Sequence, residues 1–474
     1  MKAKIGLEVH VQLTSLKTKL FCPCGSDYRG KEPNTNICPV CMGLPGTLPV
    51  LNGKAVREAV KIALALSSKI SRRMLFYRKN YFYPDMPKNF QITQYDKAGG
   101  VPLATGGYVE VNGKRIRIRR MQLEEDPGKI TYEGTIVSSP VSLVDYNRAG
   151  IALVEIVTEP DMESPKEARL FLEKLRSILE HLGVCDCSLE GAMRCDANIS
   201  IEGGKRVEVK NISSFKEVER ALNFELTRQA TLSKGGLRVR RETRHWDEVR
   251  RITVSLRVKE EEEDYRYFPE PDLVPVEITD ELIEDVKKEM PELPEERMRR
   301  LVEEYGISPR MAEVLTSKKA LADFFEEAAK EGVGRRVASL LGEVLAYMNR
   351  EGLEIQDLGL NPREFGALSK LVEEGRVSER MAKGIIRKAL ASKRPLMELV
   401  KGVKEQISDE DTIKMLVEEV VRENQKAVKD AMKNEKAKNF LMGEIMKRSR
   451  GRADPRLARL LLERKLEELK AEGF

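Results

Sequence analysis

The chain opens on a strict alternation. Ile5, Leu7, Val9, Val11 and Leu13 interleave with Gly6, Glu8, His10 and Gln12. Successive side chains of a β-strand point to opposite faces, so the pattern predicts a strand with an apolar back and a polar front. Glu8, His10 and Gln12 share that front. An acid and an imidazole two residues apart on a rigid strand are placed to hold a metal ion or a reacting group. Alternating strands also commonly show their polar side to water, and the pattern alone leaves both readings open. Further alternation predicts strands at Tyr108–Val111, Ile116–Leu123, Ile151–Val157, Ala197–Ile201, Val207–Lys210 and Thr253–Val258. Helical spacing appears at Lys54–Leu66, Pro165–Leu182 and Ser214–Leu232. Strands mixed with helices, without a βαβ rhythm, predict an α+β domain with a largely antiparallel sheet over residues 1–290.

Beyond Pro291 the spacing becomes helical, punctuated by Gly332, Gly352, Gly375 and Gly402 and by Pro309, Pro362 and Pro395. This predicts an all-α domain over 291–404. Ser408 before Asp409-Glu410-Asp411 is a helix-start signal, which sets off a small helical tail over 405–474.

Length agrees with several domains, since 474 residues exceed one hydrophobic core. Charged residues make up 34% of the chain and aromatics only 5%, a composition common where ion-pair networks support stability at high temperature. No run of about eighteen apolar residues occurs, so no membrane span is expected. The opening Met1-Lys2-Ala3-Lys4 lacks a signal peptide's apolar segment, and a cytoplasmic location is expected. The net charge of +6 is modest, but its distribution is not. Between Gln425 and Arg459 eleven lysines and arginines face four acids, and Lys447, Arg448, Arg450 and Arg452 flank a glycine. Such a patch suits a polyanion, because each phosphate contact releases counterions.

Four of seven cysteines fall in two close pairs, Cys22-Pro-Cys24 and Cys38-Pro-Val-Cys41. Two knuckles of this kind can place four thiolates tetrahedrally around a structural zinc ion, leaving no open coordination position. Cys185, Cys187 and Cys195 lack such spacing and are expected to pack as small residues.

Three polar centres remain. The stretch Lys79-Asn80-Tyr81-Phe82-Tyr83-Pro84-Asp85-Met86-Pro87-Lys88-Asn89-Phe90-Gln91-Ile92-Thr93-Gln94 gathers aromatics and hydrogen-bonding groups in a chain poor in aromatics. It suits the wall of a polar pocket. Gln122-Leu123-Glu124-Glu125-Asp126 ends a basic strand, and consecutive acids at a strand end suit magnesium bound with substrate phosphates. Glu155 lies inside an apolar run, where a carboxylate is costly unless paired or bound to metal. Arg194, Asp196, Lys210 and the run Asp264–Asp272 complete the set.

These residues carry a resemblance. Ile5–Leu13, the cysteine loop running into Gly43–Asn52, Lys79–Asp96, Leu123–Lys129, Val144–Gly150, Glu159-Pro160-Asp161, Arg194–Asn198, Glu242-Thr243-Arg244 and Asp264–Asp272 together resemble the GatB family, over nearly the whole chain. This is the B subunit of the glutamine-dependent aspartyl/glutamyl-tRNA amidotransferase. The resemblance implies an N-terminal cradle, a helical domain and a tail that touches tRNA. It implies ATP-dependent phosphorylation of the side-chain carboxylate of mischarged Glu-tRNA(Gln) or Asp-tRNA(Asn), followed by displacement of phosphate by ammonia. Magnesium would offset charge on the transferring group. By the family pattern Glu8, His10, Glu125 and Glu155, with Glu124 as an alternate, are the candidates for the magnesium and nucleotide centre. Lys79, Asn80, Tyr81 and Lys88 would lie near the activated carboxylate or the path of ammonia. Tyr83, Gln91, Gln94, Arg148, Arg194 and Asp196 are further substrate-binding candidates. Lys447, Arg448, Arg450 and Arg452 are those for tRNA.

The chain has no G-x-x-x-x-G-K-[ST] loop and no glycine- and serine-rich amidase signature. Ammonia must then come from elsewhere, and the resemblance implies an amidase A subunit bridged by a small C subunit. The sequence departs from the family at Gln122, where a histidine is common, and at Arg241, where a glutamine is usual. A non-catalytic tRNA-binding scaffold is the alternative outside the enzyme class, and the intact acids speak against it. The archaeal E-type relative carries a large inserted domain, for which there is no room between Leu273 and Pro291.

Overall fold

The computed structural model describes residues 3–97, 99–133, 139–257, 262–401, 409–431, 434–449 and 452–471. Two units emerge, Met1–Glu296 and Arg297–Phe474.

The first unit is built on a ten-stranded sheet. Its opening strand, Ala3–Gln12, lies centrally between Met193–Ile201 and Ala152–Thr158, and Lys114–Glu125 follows on the far side of the latter. All three pairings are antiparallel. Among the described strands of this sheet only Val207–Lys210 and Glu242–Asp247 run parallel. The α+β reading holds, with a largely antiparallel sheet.

The alternation sorts the faces as expected. Ile5, Leu7, Val9 and Val11 are wholly buried and join one core with Phe171, Leu172 and Leu175 of the helix Pro165–Leu182. Full burial of each such side chain contributes roughly 1.5–3 kcal/mol. That helix starts where Ser164 accepts the amide of Glu167, with Pro165 in its first turn, and stops at Gly183, whose φ of 70° only glycine adopts freely. The helices Gly53–Ala65 and Phe215–Lys234 add to the same apolar side. The opposite face of the sheet is left to polar residues.

Sequence reading places the strands Tyr108–Val111 and Val207–Lys210 at their observed bounds. It places Ser214 inside a helix, whereas Ser214 caps the helix Phe215–Lys234 by accepting from Glu217. The expected strand ending at Val258 runs Ile252–Arg257, and Val258 lies outside the described residues.

The second unit is helical throughout its described length. One core gathers Leu301, Phe325, Leu341, Phe365 and Ile386, and a separate one gathers Ile413, Val417, Leu441, Ile445 and Leu462. Asp409 caps the helix Glu410–Glu423, accepting from Thr412, and Ser408 lies outside the described residues. Among the described residues no helix is long and apolar enough to cross a membrane.

Candidate active site

Register decides which polar side chains meet. His10 stands opposite Glu155 on one side and Arg194 on the other. Glu155 stands opposite Gln122, Glu8 opposite Asp196, and Asn198 opposite Glu208. Period-two alternation sends all of these to the face away from the helices. There Glu8, Gln122, Glu155, Asn198 and Glu208 line a pocket of about 370 Å³ with Lys79, Thr93, Glu124, Lys210, Tyr265 and Tyr267.

The acids fall into two groups. Single carboxylate oxygens of Glu8, Asp196 and Glu208 lie within 4.8 Å of one another, close enough to share a cation. Asn198 donates to Glu8 at 3.1 Å, while its buried Oδ1 has no hydrogen-bond partner. Lys210 pairs with Asp196 at 2.7 Å and with Glu208 at 3.7 Å. Burial opposes ionisation of Asp196, yet Lys210 and then His10 hold its carboxyl below the usual range.

The second group centres on Glu124 and Glu155. Glu124 accepts from Thr93 at 2.8 Å and lies 3.7 Å from His10 Nε2. Arg120 reaches Glu155 at 3.7 Å and Asp96 at 3.3 Å. Burial, reinforced by Glu124, pushes the Glu155 carboxyl up to about 7, against the pull of Arg120 and His10. Burial also raises Glu124, partly offset by Lys79. Lys79 sits over the Tyr265 ring at 4.8 Å, and Tyr267 stacks on Tyr95 with centroids 4.2 Å apart. Cations, acids and an aromatic wall thus face one cavity.

Glu125 departs from the expected grouping with Glu8, His10 and Glu155. It follows Glu124 on the same strand, so the pleat turns it to the other face. There it pairs with Lys88 at 2.5 Å, accepts the amide of Ile92 at 2.9 Å and lines a cavity of about 230 Å³ with Cys22, Cys41, Arg78 and Gly150.

The remaining candidates are placed as follows. Asn80 donates to the carbonyls of Tyr265 and Arg266, fixing the aromatic wall. Tyr81 packs edge-on against Tyr265, and Tyr83 is exposed. Gln91 donates to the Glu125 carbonyl at 2.7 Å. Gln94 is buried and accepts the amides of Leu103 and Leu123. Arg148 and Arg194 both turn to the buried Asp126, at 3.6 and 2.6 Å, and Gln12 donates to the same carboxylate at 2.8 Å. Gln12 is therefore a buried hydrogen-bonding residue, not a member of the open polar front. In the tail Lys447 is exposed, Arg448 pairs with Glu419 and Glu423, and Arg452 donates to the Ser449 carbonyl. Arg450 lies outside the described residues.

Glu208, Arg120, Asn198, Tyr265 and Tyr267 join the pocket without having been singled out as site residues. Glu208 was legible in the alternation Val207-Glu208-Val209-Lys210, which puts Glu208 and Lys210 on the polar side.

The cysteine expectation has a matching geometry. One sulfur from each of Cys22, Cys24, Cys38 and Cys41 lies within 4.8 Å of the others. Four convergent sulfurs fit a closed tetrahedral metal site. Lys19, with no exposed surface, points its ammonium at the Asn36 carbonyl at 2.8 Å and at Cys41 Sγ at 3.7 Å. A buried cation beside this cluster fits thiolates and not neutral thiols.

Fold and site together define a catalytic cradle with an appended helical module. Residues 3–284 match the family model described as the GatB/GatE catalytic domain, and residues 323–466 match the GatB domain. A protein of Sulfurisphaera tokodaii is 51% identical over 97% of this chain and 98% of its own length. One of Thermotoga maritima is 49% identical over 98% of each, and one of Carboxydothermus hydrogenoformans 46% identical over 99% of each. All three are named as the B subunit of aspartyl/glutamyl-tRNA(Asn/Gln) amidotransferase. The chain belongs to the GatB/GatE family.

Proposed function

We propose that this chain is the B subunit of a tRNA-dependent amidotransferase, and that the pocket on the polar face of its sheet activates and amidates the substrate carboxylate. The observation that carries the reading is the convergence of Glu8, Glu208, Glu124 and Glu155 with Lys79, Arg120 and Lys210 around one cavity, with Asp196 beside Glu8, Glu208 and Lys210. Phosphoryl transfer from ATP to a carboxylate brings several negative charges together, so it needs cations placed in advance and acids to hold a metal.

Glu8, Asp196 and Glu208 would hold one magnesium ion, and the unpartnered Asn198 Oδ1 beside them fits a hard cation's preference for oxygen. His10, Glu124 and Glu155 form a second candidate set. Magnesium, when bound, offsets charge on the transferring phosphoryl group. Lys79, Arg120 and Lys210 orient the phosphates and the substrate carboxylate. With no metal at that second set, Glu155, whose carboxyl burial pushes up to about 7, can take the proton that ammonia loses when it displaces phosphate. Cys22, Cys24, Cys38 and Cys41 hold zinc, which fastens the loop beside the Glu125 cavity. Lys88 and Glu125 line the route by which ammonia enters. An amidase A subunit and a small C subunit supply that ammonia, and tRNA(Gln), tRNA(Asn) or both are the carriers. The work is placed in the cytoplasm with the rest of translation.

Reconstitution with the amidase and its small bridging partner, ATP and each mischarged tRNA tests the reading. Glu8→Gln is expected to lower amide formation at least about a hundredfold, the scale on which one positioned electrostatic group acts. Undiminished amide formation overturns it. Tight tRNA binding without any ATP-dependent step supports a scaffold instead.

A further inference from the structure

Three cations at one end of the sheet remain unused by this scheme. Lys4 is the second residue of the strand Ala3–Gln12, Arg206 precedes Val207–Lys210, and Arg241 precedes Glu242–Asp247. The strand Val207–Lys210 runs parallel to Glu242–Asp247, with Val207 opposite Glu242, so Arg206 and Arg241 flank one sheet end side by side. Lys4 stands opposite Ser200, and Ile199 opposite Val207, so the start of the first strand lies at that same end. All three are exposed and line the active-site pocket. None of their side chains has a hydrogen bond or ion pair among the described residues. Neighbouring basic residues are neutralised: Arg117 by Asp161, Arg119 by Glu159 and Arg120 by Asp96. Three like charges collected at one mouth without an ion-pair partner among the described residues cost self-repulsion, which an anionic ligand would relieve.

We propose that Lys4, Arg206 and Arg241 grip phosphates of the single-stranded 3′ end of the substrate tRNA as it enters the pocket. The proposal rests on the pocket assignment above. Phosphates of a free nucleotide share the same chemistry, but position favours the RNA. Four residues separate Lys4 from Glu8, about 13 Å at the rise of a strand. Arg206 stands two residues from Glu208, about 7 Å, so the rim starts beside the acidic centre and runs away from Glu8 and Asp196 to Lys4, where it takes phosphates further along the strand of RNA. Gly6, Thr158 and Ser200 line the way between, and their small side chains leave room for a ribose-phosphate strand.

The test compares the full chain with a Lys4→Met/Arg206→Gln/Arg241→Gln variant, whose substitutions are all on exposed side chains. Each protein is titrated with tRNA(Gln) transcript, with the same transcript shortened at its 3′ end, and with a fluorescent ATP analogue. Wild type is expected to bind the intact transcript about tenfold tighter than the shortened one, the variant equally to both. The slope of log affinity against log salt should become shallower by about 2, at roughly 0.7 per single-strand phosphate contact. ATP-analogue affinity should stay the same. Equal discrimination by wild type and variant overturns the proposal, as does a wild type that does not discriminate. Weakened analogue binding with unchanged RNA binding assigns the rim to the nucleotide and overturns it too. Failure of wild type to bind the analogue counts against the pocket assignment, whereas the RNA arms still decide the rim.

Discussion

Glu124 and Glu125 are chain neighbours that serve two cavities. One faces His10 and Thr93, the other Lys88 and Ile92. Substitution should therefore separate two events. Glu124→Gln is expected to depress ATP-dependent phosphorylation of the mischarged tRNA by about a hundredfold. Glu125→Gln should leave phosphorylation within about threefold, since the group touches a different space, and lower amide yield from glutamine. Phosphate release and amide formation measured on the same reaction distinguish them. Lys19 is the other residue whose setting makes a sharp statement. A buried ammonium 3.7 Å from Cys41 Sγ belongs to the surroundings of the proposed zinc site. Lys19→Met should weaken zinc affinity about 10–100-fold in chelator competition, the usual cost of losing an outer hydrogen-bond partner. The exposed Lys17→Met is the matched control.

Elements show where the pattern was readable and where it was not. The helix Phe215–Lys234 carries Glu225, a carboxylate without exposed surface that binds Arg228 at 2.8 and 2.9 Å, Gln229 at 3.1 Å and the Thr253 hydroxyl. Burial opposes its ionisation, but Arg228, Thr253 and Gln229 together hold it below the usual 4.5. A carboxyl lowered on folding stabilises above the unfolded value and loses that stabilisation as pH falls through the folded one. Glu225→Gln should cost on the order of 3 kcal/mol at pH 7 and flatten the loss of stability below about pH 4.5, as denaturant melts at several pH values would report. In the second unit a methyl group at Gly366 would stand 2.2 Å from the Ala328 carbonyl, where Pro362–Glu373 packs on Lys319–Glu331. Gly366→Ala should destabilise that unit by about 1–3 kcal/mol in the same melts. Long segments such as Ala3–Gln12 and Pro165–Leu182 were legible because periodicity reports a buried face. The two-residue strands Lys69–Ile70, Arg73–Met74 and Ala104–Thr105 were not, because their pairing is set by partners distant in sequence. The site was half legible for a related reason. Alternation names the residues on one face, as at Glu8, His10 and Glu155, but cross-strand register decides who meets, and register put Asp196 and Glu208 beside Glu8.

At the scale of the whole chain, the tail has a hydrophobic core of its own, built by Ile413, Val417, Leu441 and Leu462. Deletion of residues 409–474 should leave the main thermal transition of the remaining chain within about 2 °C, because cores without shared partners behave additively. Calorimetry checks this, and tRNA affinity should fall in parallel. The pleat that parts Glu124 from Glu125 constrains the chain in another way. An insertion of a single residue within Arg120–Glu124 would turn each following side chain through the sheet: Glu124 would take the place of Glu125, and the pocket that faces His10 would lose its carboxylate. The turn at Asn112-Gly113, where both residues have positive φ, leads into the same strand but precedes the first pocket-lining residue of that strand, Arg119. Length variation in this chain therefore has a permitted address at that turn and a forbidden one a few residues later.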